Sequence, residues 1–242
     1  MIFSQSKLLN KFTNITHAYT TKDSGNLAFH VNDNILHVKN NHNNLAKNLS
    51  YKKHKLIHME QIHSDIVHVV TKNDDFLTTP TCDALITDIT DTPLMVMVAD
   101  CSPILFYDNE KKVIAVAHAG RQGAFKNIIK TTLNSFTNIF NSNTSSIYVS
   151  IGASIGSCCY EVGAEIYKEA KELKLDYAIE IRDNSYYLNI RNILKKQLLD
   201  AGIYEKHIDI SQECNCCKND KYFSYRANKN CGRFAGVIKL NF

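Results

Sequence analysis

The 242-residue sequence has no tryptophan, only three prolines and nine glycines, and no stretch where these gather, so no linker, repeat or low-complexity block divides the chain. No apolar run approaches the length of a membrane span. The opening residues MIFSQSKLLNKFTN carry neither the apolar region nor the small-residue cleavage site of a secretory signal. A cytoplasmic protein without a membrane partner is the expectation. Charge of one sign is not in excess either: 28 basic side chains stand against 24 acidic ones, and the lysines are scattered, so nucleic acid is not an expected partner. What remains is a chain with 44% hydrophobic and 21% charged residues, long enough to bury a full core, read as one domain over residues 1–242. Eight cysteines in a cytosolic chain of this size point to buried thiols or metal ligands rather than disulfides.

The first fifty residues offer a turn at 23–26 and a helix-like stretch at 45–49. Strand signals then follow: the β-branched run at 66–70, a short one at 84–86, and the unbroken apolar run 94–99, which reads as a strand buried on both faces and ends at Asp100-Cys101-Ser102-Pro103. Strands at 104–107 and 113–117 are joined by the polar turn 108–111 in the manner of a hairpin. The second leads through His118-Ala119-Gly120-Arg121-Gln122-Gly123 into helical spacing over 125–136. A strand at 147–151, a helix starting near 160–163 and a helix over 190–201, stopped by Gly202, complete a mixed α and β pattern. The tail from 222 alternates loops and short strands.

His63, Cys101 and His118 each fall at a strand edge, where a rigid sheet can deliver side chains to one pocket. Two imidazoles and a thiolate suit a zinc ion and leave a fourth position open. With ten histidines and eight cysteines in the chain, many such triples arise by chance, and on spacing alone buried structural side chains are the better reading. Cys214, Cys216, Cys217 and Cys231 form a denser group, but only Cys214 and Cys217 have knuckle spacing, so thiols without metal are the reading there, and Cys158-Cys159 reads as packing. Gly120 through Gly123 before a helix could present backbone N–H groups to phosphate, and Arg226 and Arg233 could grip an oxyanion. An ordinary turn and surface arginines are the alternatives.

Taken in order, six segments resemble the YfiH-like family, once called laccase-domain or polyphenol oxidase proteins and later recognised as purine nucleoside phosphorylases. They are Gln61-Ile62-His63, Cys82-Asp83-Ala84-Leu85-Ile86-Thr87, Ala99-Asp100-Cys101-Ser102-Pro103, His118-Ala119-Gly120, Ile151-Gly152 through Tyr160-Glu161-Val162-Gly163, and Phe223-Ser224-Tyr225-Arg226 with Gly232-Arg233. The resemblance implies that His63, Cys101 and His118 are metal ligands and catalytic centre. It implies an α+β fold of two mixed β-sheets sandwiched between helices (α/β/β/α), like that of the cytotoxic necrotizing factor hydrolases. The sequence departs from the family pattern at Lys22, Arg121, Gln122 and Ala227, where the family has arginine, tryptophan and arginine, and a second arginine.

The implied activity is a zinc-dependent purine nucleoside phosphorylase acting on adenosine, inosine and methylthioadenosine, with adenosine deaminase activity at the same site. Its partners would be a nucleoside and phosphate, with Gln61, Asp100, Gly120, Ser224 and Arg226 around the substrate, Asp100 as a proton carrier and Arg226 or the Gly120 turn on phosphate. Monomer and homodimer are both compatible with the sequence. A copper-dependent polyphenol oxidase is the rival, with Cu²⁺ at the same ligands. It is disfavoured because such an enzyme needs further coppers, and the ten histidines include no His-x-His pair. A non-catalytic zinc-binding protein is the third reading.

Overall fold

Alternation along the central strands decides the layering. The computed structural model describes residues 3–241. Its strands are β1 (Ile15–Tyr19), β2 (Val67–Val69), β3 (Ala84–Thr87), β4 (Leu94–Val98), β5 (Ser102–Asp108), β6 (Val113–Ala119), β7 (Ile147–Ile151), β8 (Glu161–Val162), β9 (Ile179–Arg182), β10 (Ser185–Leu188), β11 (Ile208–Ile210) and β12 (Phe234–Leu240). The helices are α1 (Ile35–Asn48), α2 (Arg121–Phe125), α3 (Ile128–Phe140), α4 (Ala164–Glu172) and α5 (Ile190–Asp200).

β5 and β6 form the expected hairpin, from Ser102 opposite Ala119 to Asp108 opposite Val113, and lie at the centre of a six-stranded sheet ordered β11-β7-β5-β6-β3-β2. Its two outermost pairings, β11 with β7 and β2 with β3, are parallel and the inner ones antiparallel. One set of alternate residues, including Ile104, Phe106 and Ala115, packs under α2, α3 and α5 with Ile128, Phe136 and Leu194. The other set, including Leu105, Tyr107 and Val116, packs against Leu94, Val96, Phe234 and Ile238 of a second sheet, β1-β12-β4. The far face of that sheet, Ala18, Met95, Met97 and Val237, is covered by Leu45 and Leu49 at the end of α1. The order of layers is therefore helix, sheet, sheet, helix, as the resemblance implies. Each fully buried aliphatic or aromatic side chain in these layers contributes about 1.5–3 kcal/mol. Only the larger of the two packed sheets is mixed; the smaller is wholly antiparallel. A third sheet, β8-β10-β9, is a small antiparallel addition beside α4.

The helix expected over 125–136 is broken. Asn127 takes a left-handed conformation (φ 63°), so the chain ends α2 and restarts as α3, with the Asn127 side chain accepting from the Lys130 N–H at 3.1 Å. Gly202, at φ 88°, follows α5 as expected. The helix-like stretch at 45–49 proves to be the last turn of the longer α1. No described helix is long and apolar enough to cross a membrane.

Candidate metal centre and cleft

The chain leaves the smaller sheet at the end of β4 and enters the larger one at β5, and Cys101 sits in that crossing. Asp100, immediately before it, has φ 89°, a strained backbone for a residue with a side chain. His118 is the penultimate residue of β6, opposite Pro103 of β5. His63 lies in the loop before β2, also at positive φ (60°). Three distant residues thus meet at one end of the paired sheets. Their ligand atoms all lie within 4.8 Å of one another, with the Cys101 sulfur 3.9 Å from His63 Nε2 and the imidazoles edge to face at 4.8 Å between centroids.

The group that orients this cluster is Asp83, fully buried just before β3. Its Oδ1 accepts from His118 Nδ1 at 2.8 Å and from the His63 N–H at 3.1 Å. Its Oδ2 accepts from the Ile62 N–H (3.2 Å), the Ser64 N–H (2.6 Å) and the Ser64 hydroxyl (2.7 Å). One carboxylate therefore fixes the His63 loop and the ring of His118 together. With Nδ1 committed to Asp83, the other nitrogen of His118 is left for a metal. Burial opposes ionisation of Asp83, but the hydrogen bonds from His118 and Ser64 outweigh it and hold the carboxyl at about 2. Burial likewise works against charge on Cys101 and His118. Their mutual attraction prevails, drawing the thiol down to about 6 with help from His63, and the imidazole up to about 9 with help from Asp83.

The donor set fits a zinc ion on two observations. Two nitrogens and a thiolate are sound ligands for it. The space is also cleared for the thiol: a β-carbon at Gly120 would lie 2.7 Å from the Cys101 sulfur and 3.1 Å from the His63 ring. Gly120 thus serves the cluster by having no side chain, while the helix it precedes, α2, is a short one of five residues.

A cleft of about 1290 Å³ opens over the cluster. His63, Cys101 and His118 line it, as do Gln61, Asp100, Gly120 and Arg226 among the residues expected around a substrate. Four of the expected residues are engaged with the protein itself. The Gln61 amide pairs with the backbone of Met97 in both directions, at 2.7 and 2.9 Å, latching the His63 loop to β4. Asp100 accepts from the Ser224 hydroxyl (2.6 Å) and the Arg226 N–H (2.7 Å), so its carboxylate ties the tail to the β4–β5 crossing. Ser224 is buried beneath this contact and does not line the cleft. Arg226 reaches the Glu161 carbonyl at 3.0 Å and lies over Tyr160.

Of the departures from the family pattern, Arg121 lines the cleft but is held by Glu169 of α4 at 2.6 Å. Gln122 is exposed, Lys22 donates to the Asn219 carbonyl, and the Ala227 N–H donates to Ser224 Oγ. The structure also brings Arg233, Tyr160 and Ile155 into the cleft wall. Arg233 stood in a motif; Asp83 and Tyr160 stood in motifs as well, but no spacing rule marks either as facing the cluster.

The four cysteines of the denser group do not come together as one cluster. Cys231 is buried beside Arg233, and Cys216, in the turn over 215–220, touches Cys159 without joining the group of four sulfurs. Cys214 and Cys217 instead meet Cys158 and Cys159, so this vicinal pair is not packed away in a core. All eight cysteines are free thiols.

Known proteins resemble this chain in sequence and in fold. The chain is 31% identical to the purine nucleoside phosphorylase YlmD of Geobacillus stearothermophilus, covering 94% of this chain and 90% of that one. It is also 31% identical to the purine nucleoside phosphorylase YfiH of Escherichia coli, covering 90% and 87%. Its fold matches the crystal structure of the Bacillus licheniformis hypothetical protein YfiH with a TM-score of 0.90 at 30% identity, over 96% and 94% of the two chains. Since residues 13–241 also match the profile described as multi-copper polyphenol oxidoreductase laccase, the chain belongs to this laccase-like family, in which the YfiH and YlmD phosphorylases are its relatives.

Proposed function

We propose that the protein is a zinc-dependent purine nucleoside phosphorylase that splits adenosine, inosine and methylthioadenosine with phosphate, and that the same site deaminates adenosine. The observation that carries this reading is the convergence of His63, Cys101 and His118 on the floor of a cleft large enough for a nucleoside, in a chain whose relatives bear that name. When bound, zinc supplies a Lewis acid at the floor, which polarises the substrate group it meets. The remaining work falls to the chain. Arg226 and Arg233, both on the cleft wall, suit the doubly charged phosphate, since guanidinium groups bind oxyanions in pairs of hydrogen bonds. The Tyr160 ring offers a flat surface and Ile155 an apolar one to a purine, and together they keep water from its face. Asp83 holds His118 in one tautomer, and Gln61 and Asp100 keep the two ligand-bearing loops in register.

Copper oxidase chemistry, which the family description invokes, finds less support in the side chains. Among the described residues the other grouping of metal-binding side chains consists of cysteines alone, without the histidines that further coppers would need. Incubation of the purified protein with inosine, with and without phosphate, tests the proposal. Hypoxanthine and ribose 1-phosphate should appear together and only with phosphate; phosphate-independent product, or none, would overturn it.

A further inference from the structure

Two loops that are far apart in sequence meet on the surface beside the cleft, and each brings two thiols. Cys158 and Cys159 lie in the turn after β7, while Cys214 and Cys217 flank the start of the turn over 215–220. The Cys217 sulfur is 3.4 Å from that of Cys158 and 3.3 Å from that of Cys159, and all four sulfurs lie within 4.8 Å of one another. We infer that Cys158, Cys159, Cys214 and Cys217 form a second metal site, closed and structural, that takes zinc.

Four thiolates at the usual zinc–sulfur length stand about 3.8 Å apart at the corners of a tetrahedron. The two Cys217 contacts lie slightly inside that figure and every sulfur is within 4.8 Å of the others, whereas a disulfide requires about 2.05 Å. Cys214 and Cys217 have the two-residue separation of a zinc knuckle, in which one short turn presents two sulfurs to the same ion. The Gly156 N–H donates to the Cys214 sulfur at 3.2 Å, the kind of outer hydrogen bond that orients a thiolate ligand. Gly156 also leaves the cluster its room, because a β-carbon there would lie 3.1 Å from the Cys158 sulfur and 2.6 Å from the Arg191 guanidinium. The loops are pinned independently of the sulfurs. Asn215 donates its N–H to the Ser154 carbonyl at 3.2 Å, and Arg191 bonds the Ser211 carbonyl at 2.8 Å. The four corners are thus preorganised, and Cys158 and Cys217 are exposed enough for an ion to enter.

A site whose ligands are all thiolates has no position for substrate, so its work is mechanical. The first loop carries Ile155 and Tyr160 into the cleft wall, and the second leads to Ser224 and Arg226, which grip Asp100. Zinc at the four sulfurs would fasten these two walls of the cleft to each other.

The test uses full-length, reduced Cys101→Ala protein, which lacks the thiolate of the first centre, loaded with Zn²⁺ and desalted. It should retain about one equivalent of zinc, with four sulfur neighbours at about 2.3 Å by zinc-edge X-ray absorption. Cys101→Ala/Cys217→Ser should retain none. Because the double variant could fail to fold, alkylation of wild-type protein followed by peptide mass spectrometry gives a second reading. Zn²⁺ should slow modification of these four cysteines at least tenfold, and a chelator should restore it. Zinc-free Cys101→Ala protein, unprotected thiols in the zinc-loaded wild type, or a disulfide among the four in protein kept with reductant and zinc would each overturn the inference. None of these readouts depends on enzymatic activity or on metal at the first centre.

Discussion

Asp83→Asn is the sharpest perturbation available at the first centre, because the substitution preserves shape and changes only what the side chain can accept. Both carboxylate oxygens are occupied by donors: two on Oδ1, from His63 and His118, and three on Oδ2, from Ile62 and Ser64. An amide in either orientation points its NH₂ at groups that are themselves donors. Turned toward Ser64, it loses hydrogen bonds to a charged acceptor, each worth about 1.5–3 kcal/mol. Turned toward His118, it forces Nδ1 to accept, which moves the proton to the nitrogen a metal needs. The expected result is a loss of about 3 kcal/mol in stability, or roughly 6–12 °C in Tm for a chain of this length. Zinc affinity should fall 10- to 100-fold, equivalent to about 1.4–2.7 kcal/mol. Thermal unfolding and competition with a chromophoric chelator measure the two. Ser64→Ala is the control: it removes a hydroxyl that donates to Asp83 and accepts from the Ile66 N–H, should cost about 1–2 kcal/mol, and leaves His118 and the zinc affinity alone. Wild-type affinity in Asp83→Asn would refute the orienting role assigned to this carboxylate.

Gly120→Ala places a methyl group where the Cys101 sulfur now is within 2.7 Å, so zinc affinity should drop at least tenfold with the circular dichroism spectrum unchanged; equal affinity would show that the thiol moves aside freely. His17 and His42 are buried neutral, burial holding each at about 4 against an unfolded value near 6.5. Between those values the unfolded chain binds the extra protons, so stability is intact above pH 6.5 and falls as the pH is lowered. The loss is about 2 kcal/mol per histidine by pH 5, and denaturant titrations with equal free energies at pH 7 and pH 5 would contradict it. Asn127→Ala removes the cap of α3 and replaces asparagine, which tolerates left-handed backbone, with alanine, which does not, so it should cost about 2 kcal/mol in urea unfolding, with Asn127→Gly losing less.

The central part of the fold is legible because its signals are local. The run Leu94–Val98 is apolar on both faces and is indeed buried on both, and the 108–111 turn joins β5 to β6 as its polarity suggests. The hairpin of β9 and β10 is faint in the sequence although Asp183-Asn184, both at positive φ, is a two-residue turn of the kind hairpins favour; the flanking strands are short and mostly half-buried or exposed, so their alternation is weak. At the metal centre, spacing alone could not choose among ten histidines, and order along the chain did so only through a family resemblance. Asp83 is a solitary carboxylate whose importance comes from what the fold sets around it. The four-thiol cluster is hidden for the same reason: a vicinal pair and a knuckle, 55 positions and more apart, become one site only through the Ser154–Cys214 bridge.

The smaller sheet has a peculiar order in time. Its middle strand, β12, is the last in chain order, and the two it joins are the first and the fourth. A ribosome therefore delivers β1 and the wholly apolar β4 long before the strand that pairs them exists. Until residues 234–240 emerge, Leu94 to Val98 hold the Ile57 bridge and the Gln61 amide along one edge, and the other edge, which β12 will pair, stands open. The nascent chain must keep a sticky edge sheltered through most of its synthesis, and folding of this sheet is a closing event rather than a progressive one.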